Sequence, residues 1–200
     1  MTRRAFFSAA AAGLFRSAPS PVTVPVRIIE DAAAKLGPRQ RSYFWSYLWP
    51  EAVRDLAGCG VRIAASQGQG DIWRPPGREP VLNGIDRASL NLIVTSQIPM
   101  QWDSGRLLSG ATAWYRGYHV CLIAITHAHG NQIPFFSVNT CLHEMLHALL
   151  GDIFDTHPSR SSVQAREFRA DWYATLLWLR WDAGEVRRAA AAYVTRLRAG

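Results

Sequence analysis

Lysine is almost absent from this chain: of its 22 basic residues, 21 are arginine and Lys35 is the single lysine. Against 15 acidic residues, this leaves a net charge of +7. Basic charge indicates nucleic-acid binding only where it is clustered on a recognisable module, and the sequence contains none. We therefore predict a solvated basic surface without a nucleic-acid partner, with peripheral association with acidic envelope surfaces as a further option.

Cysteine is also scarce, and its spacing excludes two kinds of fold. Cys59, Cys121 and Cys141 contain no C-x-x-C pair, so we expect neither a zinc ribbon nor a dense disulfide framework. One disulfide with a third, free thiol is an open alternative for an exported chain. Cys141 is expected to be a packed small apolar residue.

Long apolar runs are lacking as well, since no stretch reaches the roughly 20 residues needed to span a membrane. The N-terminus resembles a twin-arginine export signal, with Arg3 and Arg4, then Phe6 and Phe7, and then an alanine-rich segment. We predict a leader and linker over residues 1–25 and a single domain over 26–200. The predicted location is periplasmic or secreted, with a cytoplasmic location as the alternative. The abundance of arginine and alanine is typical of a GC-rich bacterial genome.

Hydrophobic periodicity predicts helices and strands in one mixed domain. The predicted helices cover residues 28–36, 41–56, 140–150, 163–181 and 185–197. The predicted strands cover 61–65 and 90–98, with a hairpin of 111–115 and 119–126 and an irregular loop over 66–89. Residues 120–125 are almost wholly apolar, so we expect that strand to be covered on both faces.

The residues His143, Glu144 and His147 form an H-E-x-x-H motif inside an apolar run. On a helix, residues four apart share one face, so the two imidazoles can bind one zinc ion. The glutamate can then act as general base on a water beside the metal. A structural alternative is a buried histidine pair with Glu144 facing the solvent.

A catalytic zinc normally takes a third protein ligand. Downstream of the motif, the candidates are Asp152, Asp155, His157 and Glu167. Glu167 is the strongest, because Glu167 and Asp171 share one face of the next predicted helix. Glu167 would complete the ligand set, and Asp171 could accept a hydrogen bond from the far nitrogen of His143.

The paired motifs resemble those of the gluzincin metallopeptidases, in which H-E-x-x-H is followed on a second helix by E-x-x-x-D. The interval of 20 positions from His147 to Glu167 is similar to the thermolysin arrangement, and the resemblance covers about residues 137–180. A metzincin would need glycine and histidine where this chain has Leu150 and Ile153, which excludes that family.

The resemblance implies a zincin-like α+β fold, in which a small mixed sheet packs on an active-site helix and a second, glutamate-bearing helix. It also implies a Zn²⁺ cofactor bound by His143, His147 and Glu167, and peptide-bond hydrolysis with Glu144 as general base. Such a hydrolase is expected to be an endopeptidase acting on a protein or peptide. Tyr173 and His157 are candidate oxyanion donors, and residues 111–115 are a candidate edge for pairing with substrate.

Two alternatives accompany this interpretation. The first is a zinc-containing binding or regulatory module with a restricted or inactive site, docking through the basic terminal helix that begins at Glu185. The second concerns His127 and His129, which could chelate a metal at a strand end but are more simply part of a polar turn.

Overall fold

The computed structural model describes residues 20–73, 81–96, 98, 110–115, 118–125, 139–150 and 183–199. Its strands are β1 (Val22–Asp31), β2 (Val61–Gly70), β3 (Ile72–Trp73), β4 (Val81–Leu82), β5 (Leu90–Thr95), β6 (Gly110–Tyr115) and β7 (Tyr118–Ala124). Its α-helices are α1 (Pro38–Tyr43), α2 (Trp49–Gly58), α3 (Thr140–Leu150) and α4 (Ala183–Ala199). A π-helical turn, Phe44–Leu48, joins α1 to α2, and a 3₁₀ turn, Ala32–Ala34, follows β1.

Five of these strands form a mixed, mostly parallel sheet in the order β2-β1-β5-β7-β6. Strands β2, β1, β5 and β7 run parallel, and β6 is antiparallel to β7. Strands β3 and β4 form a separate antiparallel pair. The prediction of a domain that combines helices with a mixed sheet is thereby confirmed.

The sheet buries apolar side chains on both faces. On one face, the helices α1 to α4 pack over a large core that includes Val26, Leu92 and Ile123. On the other face, a smaller core contains Ile29, Ile93 and residues of the β3–β4 pair. Because neighbouring residues of a strand point to opposite faces, the apolar runs in β1, β5 and β7 supply both cores.

Several predicted elements are confirmed. Helix α3 has the predicted bounds, and Asn139 caps it, because the Asn139 Oδ1 atom accepts a hydrogen bond of 3.0 Å from the Leu142 N–H. The hairpin of β6 and β7, the burial of residues 120–125 and the terminal helix α4 also agree with prediction.

The predicted helix over 28–36 is wrong. Residues Ile28 to Asp31 belong to β1, and only the 3₁₀ turn that follows is helical. Strand β1 pairs with β2 on one side and β5 on the other, and this pairing outweighs the weak helical pattern. Residues 22–25, assigned to the linker, also lie in β1, so the folded domain begins before residue 26.

The predicted irregular loop over 66–89 is wrong in part. Strand β2 continues to Gly70, and β3 and β4 follow it within the predicted loop. The buried carboxylate of Asp31 holds this region to the sheet, because it accepts hydrogen bonds from the Ile72 N–H at 3.1 Å and the Thr95 hydroxyl at 2.8 Å. The predicted helix over 163–181 lies outside the described residues. No helix in the described part of the chain is long and apolar enough to cross a membrane.

Candidate metal centre

The H-E-x-x-H motif lies on α3, which packs against β6 and β7 on the helical face of the sheet. Met145, Leu146, Leu149 and Leu150, all apolar residues of this helix, are buried. Their burial orients the helix, so that His143 and His147 come together on one side. The Nε2 atoms of the two histidines are 3.0 Å apart, and the ring planes meet at 72°.

This separation suits a shared metal ion. Zinc binds imidazole nitrogen at about 2.0–2.1 Å, which places two nitrogens of a tetrahedral site about 3.3 Å apart. The observed 3.0 Å is close to that value, and neutral imidazole is a ligand that zinc prefers. In a metal-free chain the same distance requires one nitrogen to donate a hydrogen bond to the other. The separation of the two histidine nitrogens is therefore compatible with zinc, and a zinc ion held there would need at least one further protein ligand.

Glu144 lies beside the histidine pair, but it is buried. Its relative exposure is 5%, whereas a general base must be within reach of the water from which it takes a proton. The Glu144 Oε1 atom is 4.0 Å from the His143 Nε2 atom. The Oε2 atom accepts a hydrogen bond of 2.7 Å from the Thr112 hydroxyl. The structural alternative, a buried histidine pair with Glu144 facing the solvent, does not match the burial of Glu144 and its hydrogen bond with Thr112.

The strands β6 and β7 supply the surroundings of Glu144, and sequence reasoning missed these residues. The Thr112 hydroxyl also lies 2.9 Å from the backbone carbonyl oxygen of Glu144, and the Cys121 thiol donates to that oxygen at 3.3 Å. Gly110 is in close contact with Glu144, because a Cβ atom at this glycine would lie 2.3 Å from Oε1. Gly110, the residue just before the predicted hairpin, was the one sequence signal of this contact.

The cysteines are packed, protonated thiols. All three are free and buried, so the open alternative of a disulfide is wrong for this structure, and the packing role expected for Cys141 is confirmed. Burial and the nearby charge of Glu144 raise the pKa of both Cys121 and Cys141. Burial, with a contribution from Asp55, raises the pKa of Cys59 to about 11. These raised pKa values favour the protonated thiol over the thiolate.

The remaining predicted site residues lie outside the described residues. They are Glu167, Asp171, Tyr173 and His157, together with the alternative ligands Asp152, Asp155, His127 and His129. Within the described ranges, no group of three or more histidine, cysteine, aspartate or glutamate side chains converges as a metal site. The described centre is thus a histidine pair with an adjacent, hydrogen-bonded carboxylate. Comparison with protein-family models, with curated proteins and with solved structures gives no match to this chain.

Proposed function

We propose that this chain is a zinc-dependent peptidase with a zincin-like fold of gluzincin type. The observation that carries the proposal is the approach of the two histidine Nε2 atoms to 3.0 Å, with the Glu144 carboxylate 4.0 Å from His143 on the same helix. In this proposal His143 and His147 hold the metal together with Glu167, and Asp171 orients His143. The roles of Glu167 and Asp171, and of Tyr173 or His157 as oxyanion donor, rest on the sequence pattern.

The proposed mechanism assigns different roles to the two carboxylate oxygens of Glu144. Zinc, when bound, would supply a Lewis acid that polarises a carbonyl and lowers the pKa of a water to roughly 7. The Oε2 atom is held by Thr112, while Oε1 is the oxygen nearer to His143. We assign Oε1 to accept the proton of the attacking water and to deliver it to the leaving amine.

Strand β6 is the proposed contact for an extended substrate. Among the described strands it pairs with β7 alone and lies at the end of the sheet. An edge strand has a row of backbone N–H and C=O groups that can pair with a peptide. Because Gly110 and Thr112 contact Glu144, a peptide along β6 would lie close to the proposed base.

A second candidate function is a zinc-containing binding or regulatory module with a restricted or inactive site. The observation that favours it is the 5% exposure of Glu144, since a carboxylate this buried has little access to water. In this candidate the exposed arginines of α4, among them Arg188 and Arg198, form the docking surface for a partner.

Metal analysis of the purified full chain tests the histidine pair. We expect about one zinc per chain, because a catalytic site holds a single ion. The variant His143→Ala should lose the zinc, and His119→Ala is the matched control. His119 stacks on Tyr193 with ring centroids 5.8 Å apart and has no place in the proposed site. Equal zinc content in wild type and His143→Ala would refute the assignment of ligands.

Turnover of casein distinguishes the two candidates. The variant Glu144→Gln keeps the size of the side chain but removes the proton acceptor, so we expect turnover to fall by about 10²- to 10⁴-fold with the zinc retained. Turnover equal to wild type would refute the mechanism. A zinc-loaded wild type that cleaves neither casein nor other unfolded proteins would favour the binding module. Loss of zinc in Glu167→Ala is expected if Glu167 is the third ligand.

A further inference from the structure

A second feature lies at the opposite end of the sheet from the histidine pair. A cavity of about 570 Å³ opens at the carboxyl ends of β1 and β2, beside α1 and the π-helical turn. We call it the β1–β2 cavity; its lining includes Glu30, Lys35, Arg41, Trp45, Gln67 and Gln69. Pockets for small ligands have volumes of about 300–1,000 Å³. In open parallel sheets such ligands bind beyond the carboxyl ends of the strands.

The two carboxylates of this cavity, Glu30 and Asp31, already accept hydrogen bonds. The Glu30 Oε1 atom accepts from the Trp45 indole N–H at 3.0 Å, and Oε2 accepts from the Arg41 Nε–H at 2.8 Å. The neighbouring carboxylate of Asp31 accepts from the backbone N–H groups of Ala33 and Ile72 and from the Thr95 hydroxyl. Neither carboxylate is therefore arranged to hold a cation.

The donors of the cavity are in surplus. The Lys35 ammonium has no hydrogen-bond or ion-pair partner in the part of the chain that the structure describes. Among the described residues Arg41 donates only through its Nε–H, to Glu30, so the terminal nitrogens of its guanidinium keep their N–H groups for another acceptor. Unused N–H donors on two cationic side chains select a negatively charged oxygen group.

The backbone of Lys35 supports a function for this side chain. Its φ of 49° and ψ of 48° place it in the left-handed region, and it is the one non-glycine residue with positive φ among the described residues. Glycine would adopt this conformation without the steric cost that a lysine incurs. The chain therefore carries a lysine at the edge of the cavity where a glycine would be more stable.

We propose that the β1–β2 cavity binds a small anionic molecule, whose carboxylate or phosphate group is held by Lys35 and Arg41. The indole of Trp45 and the amides of Gln67 and Gln69 form the rest of its lining. This site is independent of the proposed peptidase centre, because β5 and β7 separate β1 from β6.

Calorimetric titration of the full chain with inorganic phosphate and with succinate tests the proposal. Both titrations are run at constant ionic strength, with potassium chloride as the blank. The variant Lys35→Gly removes the ammonium and suits the positive φ, so it should melt at the same temperature as wild type or higher while binding about tenfold more weakly. Lys35→Arg keeps the charge and should retain most of the affinity.

Arg39→Ala is the matched control, because Arg39 is an exposed arginine close to Arg41 that does not line the cavity. It should bind the probes as wild type does. Stronger binding of phosphate would identify the ligand as a phosphate compound, and stronger binding of succinate would identify a carboxylate. The proposal is overturned if neither probe binds above the blank, or if Arg39→Ala weakens binding as much as Lys35→Gly.

Discussion

The contact between Gly110 and Glu144 predicts a measurable penalty for a single added methyl group. In Gly110→Ala, the new Cβ atom would lie 2.3 Å from the Glu144 Oε1 atom, 2.7 Å from its Cγ atom and 2.7 Å from the Thr140 Cγ2 atom. Gly110 does not have a positive φ, so its backbone accepts alanine. The predicted cost is therefore steric and not conformational.

The size of the destabilisation by Gly110→Ala follows from the two ways in which the close contact with Glu144 can be relieved. Moving the carboxylate away breaks its 2.7 Å hydrogen bond with Thr112, and a hydrogen bond to a charged group contributes about 1.5–3 kcal/mol. Moving strand β6 away instead costs about 1–3 kcal/mol, as other overpacked cores do. Reduced freedom of the unfolded chain offsets about 0.4–1 kcal/mol. We expect Gly110→Ala to lower the free energy of unfolding by about 1–2 kcal/mol.

Urea unfolding, followed by the fluorescence of the eight tryptophans, measures this change. Gly58→Ala is the matched control, because Gly58 ends helix α2 and a Cβ atom there meets nothing within 4 Å. The same effect on the unfolded chain should make that variant more stable by about 0.4–1 kcal/mol. The two glycine variants should thus differ by about 2 kcal/mol.

A double-mutant cycle with Glu144→Ala tests whether Glu144 causes the penalty. That substitution removes the Cγ and Oε1 atoms, and the Thr112 hydroxyl keeps the backbone carbonyl at position 144 as an acceptor at 2.9 Å. The cost of Gly110→Ala should then shrink by about 1 kcal/mol, as is usual for contacting pairs. A cost that is the same in both backgrounds would refute the predicted contact.

Two further predictions concern thiol reactivity and acid stability. Because Cys59, Cys121 and Cys141 are free and buried, the native protein should react with none of its thiols at pH 8 in a disulfide-exchange reagent, and with all three after denaturation; fast reaction of a native thiol would contradict the packing. For Glu30, burial raises the pKa, but the hydrogen bonds from Trp45 and Arg41 and the charge of Arg41 outweigh it and lower the pKa below 4.5. The ionised group therefore stabilises the fold above pH 4.5, and this stability is lost as the pH falls through the lowered pKa. The difference in unfolding free energy between wild type and Glu30→Gln should shrink as the pH is lowered from 7 to 3, and a constant difference would contradict the proposed cause.

The helices and strands that the sequence predicts correctly are those that depend on patterns among neighbouring residues. The cap of helix α3 at Asn139 and the apolar periodicity of the helix both lie within one short stretch of sequence. The bounds of this helix therefore agree with prediction. The spacing of His143 and His147 likewise determines that both imidazoles share one face of that helix. The hairpin of β6 and β7 joins neighbouring segments through a short connection, which the sequence also indicates.

Only the tertiary structure decided what surrounds Glu144. Gly110 and Thr112 contact it from 34 and 32 positions away in the chain, and no local periodicity relates residues at that separation. The same limit explains β1, whose strand conformation depends on pairing with two distant strands. It also explains the β1–β2 cavity, to which β1, β2, α1, the π-helical turn and the 3₁₀ turn all contribute residues.

The sequence by itself therefore determined that two histidines and a glutamate lie on one helix, because that arrangement depends on the helical repeat alone. The tertiary structure decided that the glutamate is buried and hydrogen-bonded, and that Lys35 and Arg41 line one cavity. Burial and hydrogen bonding are properties of the packed chain, since they depend on which distant segments come together when the sheet forms.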